Sequence, residues 1–115
     1  NRRFYGLDAV LLTGDMAEAF KLPQAGGFLI KQVVKGTISD QMGLRGGTRM
    51  GLVDGKPVPV GGDIILSVQG ITTASNEDLG KVLKSLETLK PGDDLRVTIS
   101  RDDKVEEIST KLPGQ

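Results

Sequence analysis

Apolar positions recur along the chain with two periods, and the switches between them predict the elements. Leu7-Asp8-Ala9-Val10-Leu11-Leu12 is a short strand entered through Gly6, and Phe28-Leu29-Ile30-Lys31-Gln32-Val33-Val34 is a run of strong β-formers following a Gly26-Gly27 turn. Gly62 to Val68 reads as a buried strand between two glycine turns. Leu95, Val97 and Ile99 alternate with polar residues, and after the Asp102-Asp103 turn Val105, Ile108 and Leu112 mark a closing strand with broken alternation. Helical spacing occurs three times. Thr13 caps a short helix with Met16, Ala19 and Phe20 on one face, ended by Pro23, and Thr37 to Met42 forms at most a short helix with Gly43 as its C-cap. The third begins at Ser75, with Asp78 in the capping-box position, and repeats Leu79, Val82, Leu83, Leu86 and Leu89 until Pro91-Gly92 stops it.

Between Arg45 and Gly61 the pattern loosens. Asp54-Gly55 is a hairpin-turn signal flanked by Leu52-Val53 and Val58, while Pro57 and Pro59 favour an edge, so an excursion hairpin or long loop is expected. Five to six short strands with two to three helices, in no regular β-α-β alternation, predict an α+β fold around a small, partly open antiparallel sheet or barrel. One domain over residues 1–112 is expected, with 113–115 as a C-terminal linker.

Composition changes the picture chiefly by exclusion. The 115 residues contain no Cys and no His, which removes thiolate and imidazole chemistry and with it a Ser-His-Asp or Cys-His centre within this chain. Lys+Arg and Asp+Glu are both 15, and no basic patch with interleaved aromatics occurs, so nucleic acid is not an expected partner. No apolar run is long enough to span a bilayer, and no membrane insertion is expected. Gly46-Gly47 and Gly51 to Lys56 fail the phosphate-loop spacing, with Met50 at the first glycine position and Pro57 at the last. Lys81 and Ser85 lie one helical turn apart, but an exposed face is their plain reading, and the acidic pairs Asp93-Asp94, Asp102-Asp103 and Glu106-Glu107 lack a calcium-loop pattern. Metal and cofactor sites are not expected.

The ordered set of pieces resembles the PDZ domain in the permuted form carried by HtrA/Deg-type trypsin-like serine proteases. Leu12-Thr13 with Met16 to Phe20 and Leu22-Pro23 is similar to that family's first helix region, and Gly27-Phe28-Leu29-Ile30 with Val33 and Gly36 to its next strand. Gly43-Leu44 and Gly62-Asp63-Ile64-Ile65 to Gly70 resemble its central signature, and Asp78-Leu79 through Pro91-Gly92-Asp93 its long helix and exit turn. Two departures stand out: Gly36-Thr37-Ile38-Ser39 replaces the frequent Gly-Ser-Pro-Ala, and the 45–61 excursion is longer than in common members.

The resemblance implies capture of hydrophobic peptide or protein C-termini, or extended unfolded segments, by strand addition. Phe4-Tyr5-Gly6-Leu7 would be the carboxylate-binding loop, its amides converging on one anion, and Leu7, Asp8, Ala9, Val10 and Leu11 the strand that pairs with the peptide. Leu79, Leu83 and Leu86 would join Phe4 and Leu7 as the apolar pocket, with Val82 and Leu89 turned to the core, and Arg2 or Arg3 would assist the carboxylate. The plain alternatives are a terminal strand packing on the core and a solvated arginine pair. The parent protein implied is a serine endopeptidase of protein quality control, with its catalytic domain upstream as a further partner and a periplasmic or otherwise extracytoplasmic location. A structural module whose groove is blocked, with the 45–61 excursion as the candidate plug, is the alternative; a PDZ domain of an intramembrane metalloprotease or a secretion-system protein is another.

Overall fold

The structure, a computed structural model, describes residues 2–114, with side chains from Tyr5 onward. The strands are β1 (Arg2–Phe4), β2 (Leu7–Thr13), β3 (Gly26–Val33), β4 (Arg49–Val53), β5 (Lys56–Val60), β6 (Ile64–Val68), β7 (Ile71–Thr72), β8 (Asp94–Arg101) and β9 (Lys104–Lys111). The helices are α1 (Gly14–Ala19), α2 (Ile38–Gln41) and α3 (Asn76–Glu87). Six strands run in one antiparallel open sheet in the order β1-β2-β3-β6-β8-β9, with the short β7 added to it beside β6, and β4-β5 form a separate two-stranded sheet. The α+β architecture expected from the sequence is therefore the one found.

β6 organises the whole. Its residues are buried on both faces, Ile65 and Val68 on one side and Ile64 and Leu66 on the other. One core gathers Leu7, Ala9, Phe28 and Ile30 under α3, which contributes Leu79, Val82 and Leu86. The second core, on the opposite face, joins Leu12, Leu29, Ile64 and Leu66 to Val53, Val58 and Val60 of the β4-β5 hairpin, with Met16, Phe20 and Leu22 packed against it. This overturns the idea of the 45–61 excursion as a plug for the groove: its valines are occupied in covering the sheet face away from α3.

A register shift lies between Ile65 and Ser67 of β6. The irregular carbonyls are met by other donors: the Thr73 hydroxyl donates to Ile65 O at 2.6 Å, and Thr73 N and Gln24 Nε2 donate to Leu66 O at 3.0 and 2.9 Å. β7, which the sequence pattern did not reveal, pairs with Ser67 and Val68, on the edge of β6 that β3 leaves after Ile65.

Gly26-Gly27 also differs from expectation. These residues are strand, not turn, and both are buried. A Cβ on Gly26 would overlap Ala74 O, and one on Gly27 would come within 2.8 Å of the Ile64 side chain. Gly26 lets backbone approach backbone, while Gly27 leaves room for the Ile64 and Leu22 side chains. Thr13 occupies the N-cap position of α1 with no side-chain capping bond, whereas Ser75 caps α3 by accepting from Asp78 N.

Asp63, just before β6, ties three segments together. Its carboxylate is 1% exposed as a residue and takes a bidentate pair from Arg101, at 2.8 Å from Nε and 2.7 Å from Nη2. Arg45 N donates to the same carboxylate at 2.9 Å, while Asp63 N donates back to Arg45 O at 2.9 Å. Arg101 completes its fork on Gly43 O at 2.9 Å. The hydrogen bonding that Arg101 donates to Asp63 is the foremost cause that holds the guanidinium above its ordinary pKa.

Candidate functional site

Between β1 and β2 the chain reverses on two residues. Tyr5 and Gly6 both have positive φ, 53° and 85°, and Phe4 is the register partner of Leu7, so the loop is a two-residue hairpin turn. The turn is fixed from behind: Val34 N donates to Gly6 O at 2.8 Å, and Ser39 N to Tyr5 O at 3.3 Å. A Cβ at Gly6 would overlap the Thr37 side chain. Glycine is required there by both φ and space. The Thr37 hydroxyl is itself held by donating to Val34 O at 2.7 Å.

The turn faces α3. Tyr5, Leu83, Leu86 and Glu87 line an open, mainly apolar groove of about 320 Å³. Leu86 is 9% exposed and also reaches the core, while Leu83 is half-buried. Two of the four leucines expected at the pocket, Leu79 at 2% and Leu7 at 3% exposure, pack in the core instead, Leu79 beside Val82. Helix geometry separates the roles: a residue at the 79, 82, 86 spacing lies under the helix, and Leu83 lies one step around it toward the groove. Leu89 is half-buried, and with Tyr5 and Ile38 it lines a second depression at the other side of the tyrosine. Neither Tyr5 nor Glu87 was expected among the lining side chains, since nothing in a helical stripe signals an acidic rim residue.

β2 runs on from the turn with Leu7 and Ala9 buried in the α3-side core and Asp8, Val10 and Leu11 partly exposed. One of its edges is held by β3 over Leu7 to Thr13. The other edge, the one expected to receive a peptide, carries β1 in antiparallel register: Arg2 opposite Ala9, Arg3 opposite Asp8, Phe4 opposite Leu7. A chain arriving along β2 in this direction ends at the turn. The side-chain parts expected of Arg2, Arg3 and Phe4 lie outside what the structure describes. Among the described residues no group of three or more Asp or Glu is placed to hold a metal ion.

The family model for the PDZ domain matches residues 14–112, beginning just after β2. Two solved structures superimpose over 97% of the chain: a point variant of the HtrA-type protease AlgW with a decapeptide, at TM-score 0.64 and 16% identity, and AlgW with a decapeptide, at 0.59 and 15%. The chain spans 29% of the length of each, and at these identities the likeness is one of fold. No curated protein matches the chain by sequence.

Proposed function

Because the chain belongs to the PDZ-domain family, we propose that it binds extended peptides by strand addition to β2, with the terminal apolar side chain resting in the groove formed by Tyr5, Leu83 and Leu86. The observation that carries this reading is the alignment of three features: an antiparallel strand position along β2, a tight glycine turn at its end, and an apolar groove beside that turn. β3 holds the inner edge of β2, so an incoming peptide takes the place of β1. Three residue pairs are lost when it does, against a longer ladder gained. Main-chain pairing plus one apolar pocket suits a Kd on the order of micromolar.

In this reading the carboxylate of a bound peptide meets the amides of Tyr5, Gly6 and Leu7 once β1 has left. The module serves a serine endopeptidase of protein quality control, in an extracytoplasmic compartment, by delivering exposed C-termini or unfolded segments to an upstream catalytic domain. The fold shared with an HtrA-type protease supports that setting. A second reading, an assembly module with a filled groove, is favoured by one observation: the receiving edge is already paired with β1.

Calorimetric titration with decapeptides ending in Phe separates them. Binding of the free acid, with the amide weaker, supports capture of C-termini. Equal binding of acid and amide removes the carboxylate from the proposal but keeps the groove. No binding of either, by the wild type or by a variant weakened in β1, leaves the assembly module.

A further inference from the structure

Among the described residues, one carboxyl oxygen on β2 stands without a hydrogen-bond donor. The Asp8 carboxyl is only 16% exposed, and its Oδ1 accepts no hydrogen bond among the described residues. Lys31 Nζ stands 3.5 Å away. That lysine is the extra residue of a bulge, since Asp8 pairs with Gln32 and Ala9 with Ile30. The ammonium offsets part of the charge at a distance beyond good hydrogen-bond geometry. A carboxylate so far withdrawn from water wants a donor, and a charged donor most.

The register says where that donor would stand. Cross-strand partners in an antiparallel pair present their side chains on one face of the sheet, so a strand laid along β2 offers one residue to Asp8. In β1 the backbone register partner of Asp8 is Arg3, and that of Leu7 is Phe4. The chain's own segment thus carries a basic residue next to an aromatic one, in the order that a peptide ending at the turn would present them.

We infer that Asp8 is a specificity-determining residue that favours a basic side chain in the strand paired with β2, and that β1 is a built-in competitor carrying the same basic-aromatic pattern. This rests on the strand-addition reading above. The ligand class it selects is a peptide with an apolar last residue and Lys or Arg as the penultimate one. Lys31 limits the size of the effect, because it already supplies part of the opposite charge.

The test uses three decapeptides identical except at the penultimate position, Lys, Ala or Glu, each ending in Phe with a free carboxylate. The wild-type chain is expected to bind them in that order, with roughly a fivefold to tenfold spread from Lys to Glu that narrows as salt is raised. Asp8→Lys is expected to reverse the order, and Asp8→Asn to flatten it. Arg3→Glu puts an acidic residue at the register position of Asp8 and is expected to raise the affinity for all three peptides by weakening β1. Circular dichroism melts check that each variant folds. If the peptides bind with the same order in the wild type and in folded Asp8 variants, the inference about Asp8 is wrong while peptide capture stands. If Arg3→Glu leaves all affinities unchanged, β1 is no competitor. Should no peptide bind the wild type or Arg3→Glu, strand addition itself falls, and the inference with it.

Discussion

At the scale of single residues, Asp63 shows how an ordinary turn motif becomes a structural junction. The Gly62-Asp63 pair reads in the sequence as a turn before a strand, and it is one. What the pattern could not show is that the carboxylate would be buried, because its partners Arg45 and Arg101 lie 18 and 38 residues away. Removing the buried carboxylate leaves the partly buried Arg101 guanidinium and Arg45 N without their acceptor. Asp63→Asn should therefore lower unfolding stability by about 3 kcal/mol, read as a shift in the urea midpoint at unchanged m-value. Asp78 is a gentler case. Its carboxylate accepts from the Thr72 hydroxyl at 2.6 Å and from Ala74 N at 3.0 Å, and the first of these bonds is the leading cause of a lowered pKa. A lowered folded pKa means that the contribution is complete above the unfolded carboxyl's ordinary value and fades as pH falls through the lower folded one. Acid titration of Asp78→Asn against the wild type should show the two stability curves converging only at the acid end.

At the scale of elements, α3 is the most legible part of the chain, although its pattern does not tell Leu79, which packs in the core, from the leucines of the groove. Ser75, Asp78 and the leucine repeat located the helix, since capping and periodicity are local. Which leucine faces core and which faces groove depends on where the sheet lies, and that is set by residues distant in sequence. Leu79 consequently joined the core, and Leu83 kept the groove. Leu83→Glu should abolish peptide binding at a stability cost of about 1 kcal/mol, whereas Ile65→Glu, at a site 1% exposed, should cost more than about 4 kcal/mol or prevent folding. Peptide titration and denaturation of both variants check the pair; equal unfolding would mean that Leu83 is core. Gly80 is exposed mid-helix, and a Cβ there meets nothing within 4 Å. Gly80→Ala should raise stability by about 1 kcal/mol, seen as a higher melting temperature. The short strands were less legible: β1 and β7 hold three and two residues, too few for any period to register.

At the scale of the whole molecule, the sheet carries a core on each face, and the β4-β5 hairpin closes the one remote from α3. Val53↔Lys56 frames the Asp54-Gly55 turn. Pair alternation then leaves Pro57 and Pro59 at positions needing no N–H toward β4. Inward valines and outward Met50 and Leu52, 64% and 67% exposed, give the hairpin two very different faces. Val58→Ala should cost about 2 kcal/mol by opening a void in the second core, with peptide affinity unchanged. Leu52→Ser should leave the unfolding midpoint within about 0.5 kcal/mol of the wild type. The same denaturation and titration measurements separate the two effects.

The turn at Tyr5-Gly6 has a thermodynamic consequence for recognition. Such turns are best served by Asn-Gly or Asp-Gly, and here a bulky aromatic residue occupies the left-handed first position at φ 53°. On the strand-addition proposal a peptide takes the place of β1, so the three residue pairs between β1 and β2 would have to part first, and the left-handed Tyr5 would lower the cost of parting them. On that proposal an incoming peptide would read only the detached fraction, and its apparent affinity would be the intrinsic one scaled by that fraction. Each 1.4 kcal/mol that strengthens β1 weakens apparent capture about tenfold. On the same proposal the left-handed Tyr5 would help to set the threshold for which peptides are held.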